Sequence, residues 1–271
     1  MTTTIELDGY LERRLDLLVS LGLYSTKSEV VRDAIRHLLD RTEITSITLG
    51  MYRKGLASFG FCAEASELSY DEVLSLMQRK GIKPRLGSES LEEVEDEARA
   101  LALTDNVVFE ALPLIILSRV PGLDMLHKLS KKFWVTQQET EVLPFETRRS
   151  VLRLMKNPEK ALSVITGVRG YEDISVRGSL SLGEASAIAA ALKAKGVLVA
   201  DDQRTRAVAK ELGCTTASTP AVLLYLEASR VLGQKDALAV YENLLSLGYA
   251  LPYQFPELGR IAEGVAAAWK S

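Results

Sequence analysis

Glu184, Asp201 and Asp202 are the residues whose types and spacing point most directly to chemistry. Gly183-Glu184 opens an Ala-rich helix, Gly196 turns the chain, and the apolar run Val197-Leu-Val-Ala200 delivers the two aspartates. A helix from Glu184 to Lys195 rises about 1.5 Å per residue, roughly 17 Å in all. An extended return from Gly196 to Asp201 at about 3.3 Å per residue covers the same distance. Laid antiparallel, the two bring Glu184 level with the aspartates at the carboxyl end of a buried strand. Open α/β sheets place their ligand sites at that edge. Clustered carboxylates repel one another unless a cation or a proton relieves them, so the spacing predicts a divalent-metal site.

The elements that position these acids lie in the last of three segments. From about Asn106 onward, short apolar runs alternate with helical patterns, which predicts an α/β domain with a parallel sheet. Its strands are expected at 106–109, 133–136, 197–200 and 214–217, with Phe133 and Trp134 in the core. The first segment, residues 1–42, begins with alternating Thr2, Thr4 and Glu6 against Thr3, Ile5 and Leu7. Asp8 is placed to cap a helix carrying Leu11, Leu15, Leu18 and Val19, stopped at Gly22. Thr26-Lys-Ser-Glu29 reads as a capping box for a second helix with Val31, Ala34, Ile35 and Leu38 on one face. The middle segment, residues 43–99, is helical with breaks at Gly55, Gly60 and Gly81. It ends in an acidic helical connector over 88–99.

Bulk properties narrow the function classes. A chain of 271 residues holds two domains, one of them with a small appendage. A net charge of −3 and a pI near 5.7 argue against a strongly basic nucleic-acid protein, though not against a local patch. Cys62 and Cys214, far apart, are expected as reduced thiols. With only His37 and His127, zinc clusters and a His-based triad are not expected. No signal peptide or span of about 20 apolar residues is evident, so a cytoplasmic protein away from membranes is expected.

About 40 residues in one strand and two amphipathic helices cannot bury a sufficient core alone, so residues 1–42 call for dimerisation. Thr2-Thr-Thr-Ile-Glu-Leu-Asp8 followed by Leu21-Gly-Leu-Tyr-Ser-Thr-Lys-Ser-Glu-Val-Val-Arg-Asp-Ala-Ile-Arg36 resembles the CopG/Arc/MetJ ribbon-helix-helix family. That resemblance implies paired strands in a DNA major groove. By position, Thr2, Thr4 and Glu6 would then face bases, with Ser25, Thr26 and Lys27 near the phosphate backbone. Glu6 puts an acid where a polar or basic reader is usual, and the segment holds seven acids against six bases. A dimerisation module without operator binding is the alternative. Met51-Tyr-Arg-Lys-Gly55 through Gly81-Ile82 looks like a small helix-turn-helix antitoxin-like family. Here Ser69 is an expected N-cap, and Val73, Leu74 and Met77 form an apolar face. A helical packing spacer remains the other reading of this stretch.

Residues from about 105 to 255 resemble the PIN-domain nucleases, in the branch with a Leu-Gly-Glu-Ala-x-Ala-Ile-Ala motif, here Leu182 to Ala189. The resemblance implies four acids at strand ends that bind Mg2+ or Mn2+, which activates water on a scissile phosphate. Val107-Val-Phe-Glu-Ala-Leu-Pro-Leu-Ile115 matches the first strand and turn, which puts the first acid on Glu110. Phe133-Trp-Val-Thr-Gln-Gln-Glu-Thr-Glu-Val-Leu143 puts the second on Glu141, with Glu139 as fallback. Glu184 is the third, and Asp202 the fourth with Asp201 adjacent. Glu110 stands where the family has Asp, and Ala111-Leu112 replace its Thr-Ser hydroxyls. Arg204, Arg206 and Lys210, just past the acids, are candidates for a nucleic-acid phosphate or for structural ion pairs.

The expected architecture is therefore an α/β PIN-like domain over 105–271, preceded by a ribbon-helix-helix over 1–42 and a helical linker segment over 43–99. The combination resembles a fused antitoxin–toxin of the VapBC kind. That implies an endoribonuclease restrained in cis, with RNA as substrate, operator DNA as a second partner, and a homodimer capable of further assembly. The competing reading is a dimeric DNA-binding transcriptional regulator whose PIN-like domain is catalytically degenerate.

Overall fold

A computed structural model describes residues 7–41, 43–119, 122–129, 131–156, 162–249, 251, 254 and 262. The chain divides into two compact units, Met1–Ile47 and Thr48–Ser271. In the first, α1 (Gly9–Ser20) and α2 (Lys27–Arg41) follow the sequence pattern. Gly22, at φ +74°, adopts the left-handed conformation that ends α1 cheaply. Asp8 holds the N-cap position of α1, but its side chain makes no capping bond. The expected box at α2 is offset. Thr26 Oγ1 accepts from the Glu29 amide (3.2 Å), while the Glu29 carboxylate accepts from Ser25 N–H (2.9 Å) rather than from Thr26. Thr2, Thr4 and Glu6 lie outside the described residues.

α3 (Ile44–Arg53) leads to α4 (Phe59–Ala65) and α5 (Tyr70–Arg79). Ser58 caps α4, and Ser69 with Glu72 forms a complete capping box on α5. Gly55 and Gly81 turn the chain with positive φ, but Gly60 lies inside α4 and breaks nothing. The acidic connector is a wall of the fold. α6 (Leu91–Leu103) buries Val94, Glu97, Ala98 and Leu101 and keeps its other acids outside.

The sheet comprises β1 (Asn106–Phe109), β2 (Lys132–Thr136), β3 (Leu162–Ile165), β4 (Val197–Val199) and β5 (Thr215–Ala217). All pairings are parallel and the order is β3-β2-β1-β4-β5. β3 is an edge strand that the sequence pattern did not suggest; only Leu162 of its four residues is buried. Its neighbours are connected through α7 (Ala111–Ser118), α8 (Gly122–Met125), α9 (Gln137–Val142) and α10 (Phe145–Lys156). Beyond β3 come α11 (Tyr171–Gly178), α12 (Leu182–Ala194), α13 (Gln203–Glu211), α14 (Thr219–Ala228) and α15 (Gln234–Ser246).

Alternate strand residues feed two cores, as a sheet covered on both faces requires. Val107, Phe109, Phe133, Val135, Val197 and Val199 pack with α6, α7, α10, α14 and α15. Val108, Leu198 and Ala200, with partly buried Trp134, pack with α12 and α13. The first core also takes in Leu49, Tyr52, Phe59, Cys62, Tyr70, Val73 and Met77, so the middle segment and the sheet share one interior. Both cysteines are buried free thiols. Among the described residues no helix is long and apolar enough to cross a membrane.

Candidate functional site

With β1 and β4 adjacent at the centre, chain order reverses between them, and the crevice beyond their carboxyl ends is where such sheets hold ligands. Glu110 is the first residue past β1, and its amide donates to Val199 O of β4 (3.0 Å). Asp201 and Asp202 follow β4 after Ala200, and Glu139 sits one turn into α9 after β2. Glu184 enters from the first turn of α12, where it completes a capping box with Ser181. All five carboxylates are at most 1% exposed.

Glu139, not Glu141, belongs to this group. Its Oε2 accepts from the Ala111 amide (3.0 Å), and a Cβ on Gly183 would sit 3.0 Å from its carboxylate. Gly183 of the Leu-Gly-Glu motif is therefore small because a carboxylate packs on it. Glu141 is exposed and pairs with Gln137 Nε2 (3.1 Å). The structure buries Glu139, the fallback position, with the other acids and leaves Glu141 exposed, because the short helix turns the two to different sides.

The two aspartates differ in what remains free. Asp201 accepts from the amide and hydroxyl of Thr219, which ties β4 to the start of α14. Asp202 spends Oδ1 on the Arg204 and Thr205 amides (2.9 and 3.1 Å) as the N-cap of α13. Its Oδ2 has no partner, and neither has Glu110 Oε2 or Glu139 Oε1. Burial pushes Asp202 up to about 7, with the Glu184 charge adding to the rise. Burial likewise raises Glu110 and Glu139 well above the carboxylate range, again with Glu184 as the leading charge. Glu184 is raised by burial too, but less freely, because donors hold its charged form.

Some of those donors come from the middle segment. Ser58 Oγ donates to Glu184 Oε2, and the Gly60 amide donates to Oε1 (3.1 Å). A Cβ on Gly60 would meet the Glu184 carboxylate at 2.7 Å. Glu64 Oε2 accepts the Leu182 amide (2.9 Å), and Leu86 forms an antiparallel bridge with Asp202. Phe59 stacks on Tyr70 (5.3 Å between centroids) and meets Tyr52 edge-on (6.3 Å). Tyr70 is fully buried; its phenol is raised first by burial, then by the charges of Glu139, Glu184, Glu110 and Asp202. Nothing in the local sequence of Ser58-Phe-Gly60 signals a partner more than a hundred residues away.

Of the two readings open for the cationic candidates, the geometry shows ion pairs at Arg206 and Lys210. Arg206 is 3% exposed and pairs with Glu97 and with Glu93 (2.8 Å). Lys210 pairs with the same Glu93 (2.7 Å). These ion pairs fasten α6 to α13, the structural alternative expected for Arg206 and Lys210. Arg204 gives Nε to Gly178 O (2.9 Å) and lines a pocket of about 90 Å3 with Tyr52, Arg85, Asp202 and Gln203. In the first unit, Lys27 pairs with Asp16 (2.8 Å) and Glu12 (3.3 Å), while Ser25 and Thr26 bracket the start of α2.

The donor set fits a hard divalent cation: carboxylate oxygens, three of them buried and without partners, from three separate elements. Among the described residues, however, no three His, Cys, Asp or Glu side chains are already gathered as ligands. No curated protein and no solved structure matches the chain. A family model described as a PIN domain matches residues 106–255, more than half of the 271 residues, and the chain belongs to that family.

Proposed function

We propose that the chain is a metal-dependent endoribonuclease of the PIN type, held in check by its own middle segment and dimerised by its N-terminal unit. The observation that carries this reading is the set of orphaned oxygens on Glu110, Glu139 and Asp202 at the switch point of the sheet. A buried carboxylate oxygen without a donor costs free energy, and three of them beside Glu184 are best explained by a cation. Glu110, Glu139, Glu184 and Asp202 would hold Mg2+ or Mn2+, which supplies an activated water and a Lewis acid for phosphodiester hydrolysis. The chain's own contribution is placement. The Ala111 amide fixes Glu139, the start of α13 fixes Asp202, and Thr219 fixes Asp201 behind it.

Restraint in cis is supported by the donors of Ser58 and Gly60 on Glu184 and by the near-complete burial of every acid. Dimerisation, and operator DNA as a partner, rest on the ribbon-helix-helix resemblance and on the exposed apolar residues of α1 and α2. The second reading, a regulator with a degenerate domain, has one observation in its favour: Ala111 and Leu112 put no hydroxyl beside Glu110.

Incubating the full chain with single-stranded RNA and Mn2+ tests the assignment, alongside Gly60→Val, whose side chain collides with Glu184 and loosens the cover. Cleavage is expected to be slow in the native chain, faster in Gly60→Val, and absent once Glu184→Gln and Asp202→Asn are added. Absence of cleavage in all three, or equal cleavage with and without the two acids, rejects the nuclease and favours the degenerate domain.

A further inference from the structure

The contacts over the acids point to a specific device, and the inference rests on the metal-site reading above. We infer that the Ser58–Gly60 turn stands in for the cation, so that docking of this turn and occupation of the site by a divalent metal exclude one another.

Three observations support it. First, the donors are matched to a carboxylate in its charged form. A hydroxyl reaches Oε2 and a main-chain N–H reaches Oε1, so both oxygens of Glu184 are taken. Ser181 adds its own amide (2.7 Å) and hydroxyl (3.0 Å) to Oε2. With donors on both oxygens, Glu184 has few lone pairs left free for a metal. Second, the remaining acids show the converse state. Glu110 Oε2, Glu139 Oε1 and Asp202 Oδ2 are buried and make no hydrogen bond within the fold, which leaves them spare for a ligand. The turn caps Glu184, and the Phe59 main-chain N–H within it also favours the charged form of Asp202. Third, the position of Gly60 leaves no alternative packing. A Cβ there would meet Glu184 Cδ at 2.7 Å, Oε1 at 2.7 Å and Ser181 Oγ at 2.8 Å, so only glycine lets the main chain come this near.

Closure is also steric. The pocket beside Asp202 measures about 90 Å3, well below the roughly 300 Å3 at which pockets begin to take drug-sized or nucleotide-sized ligands. With the five acids at most 1% exposed and Glu184 covered by Ser58 and Gly60, RNA access requires this cover to move. Two ligands that exclude each other are coupled reciprocally: metal loosens the turn by the same factor that the turn weakens metal.

The test uses the full chain with Mn2+ as the probe. Calorimetry or electron paramagnetic resonance gives its affinity for the native protein, for Ser58→Ala and for Gly60→Val, with Glu184→Gln as the control. Circular dichroism checks that each variant is folded. Affinity is expected to rise about tenfold in Ser58→Ala and further in Gly60→Val, within the span of ordinary site-to-site coupling. In the native chain, added Mn2+ is expected to speed hydrogen exchange at the amides of residues 60–62. That second readout needs no variant. If Mn2+ binds all folded forms equally and leaves exchange at 60–62 unchanged or slower, the exclusion is overturned and the metal site stands. Mn2+ binding by none of them overturns both.

Discussion

Glu139 and Glu141 are two residues apart on α9, and two residues turn a helix by roughly 200°, so one site cannot use both. The structure turns Glu139 inward to the Ala111 amide and leaves Glu141 outside. Glu139→Gln is therefore expected to weaken Mn2+ binding by at least the 10–100-fold that even outer-shell partners cost, whereas Glu141→Gln leaves it unchanged. Calorimetric titration of both variants decides the point, and the reverse ranking would return the role to Glu141. Glu184 and the Asp201-Asp202 pair were legible from matched helix and strand lengths, whereas Glu110 and the choice of Asp202 came from the resemblance to the PIN family. The second acid was settled by neither, because the choice depends on the rotational phase of a six-residue helix with no apolar stripe to fix it. One signal did exist: Thr136 and Glu139 are spaced as an N-cap and its third helical residue, and Thr136 Oγ1 does accept the Glu139 amide (3.3 Å).

At the scale of elements, α6 and the middle segment carry the findings that composition concealed. The run 88–99 reads as an acidic helical connector, yet Glu97 is buried and takes the Ser88 hydroxyl (2.7 Å), the Ser218 amide (3.0 Å) and the Arg206 guanidinium. Arg206 is correspondingly expected to be structural. Removing it alone strands Glu97, and breaking a buried pair from one side costs about 3–5 kcal/mol, so Arg206→Met should lower the urea midpoint sharply. A variant that unfolds like the native chain contradicts this role. The neighbouring Glu93 gives the pH dependence. Against the pull of partial burial, the Lys210 ammonium holds it down to about 2 from an ordinary 4.5. A depressed acid stabilises the fold above its unfolded value, and that stabilisation is lost as pH falls from 4.5 towards 2. Thermal melts of the native chain and Glu93→Gln should therefore differ near neutrality and converge by about pH 2; a constant gap would mean that Glu93 is not charged in the fold. Phe59 speaks for the segment itself: buried between Tyr52 and Tyr70, its change to Ala is expected to cost about 3–5 kcal/mol. Such a segment is part of the interior, which no helical propensity or turn signal announces. β3 escaped notice for the opposite reason, since its four residues, Leu-Ser-Val-Ile, are too short a pattern to stand out and only one of them is buried.

For the molecule as a whole, the two units differ in how completely they bury themselves. Thr48–Ser271 has two cores on a five-stranded sheet, whereas in the described part of Met1–Ile47 Val30 is the buried apolar residue. Six of the exposed apolar residues of that unit, Tyr10, Leu11, Leu17, Leu21, Leu23 and Ile35, are each more than 40% exposed, and Leu38 and Ile47 join them. Each large apolar side chain taken out of water contributes about 1.5–3 kcal/mol, so a unit this small that leaves so many outside has its missing core elsewhere. A second copy of the same unit is the expected occupant, since the alternating residues 2–7 would add a strand for pairing, although residues 2–6 lie outside the described set. Leu7, Leu15, Val31 and Ile35 line a pocket between α1 and α2, which gives such a partner an apolar seat. Sedimentation equilibrium of the full chain should then report a dimer. Ile35→Glu, which puts a charge into that seat, should shift it to monomer while the RNA and Mn2+ behaviour of the second unit persists, because no acid of the site lies in the first. A monomeric native chain, or an Ile35→Glu chain still dimeric at micromolar concentration, would place the self-association elsewhere or remove it. The outcome also bears on operator binding, since two strands reach one major groove only from a dimer.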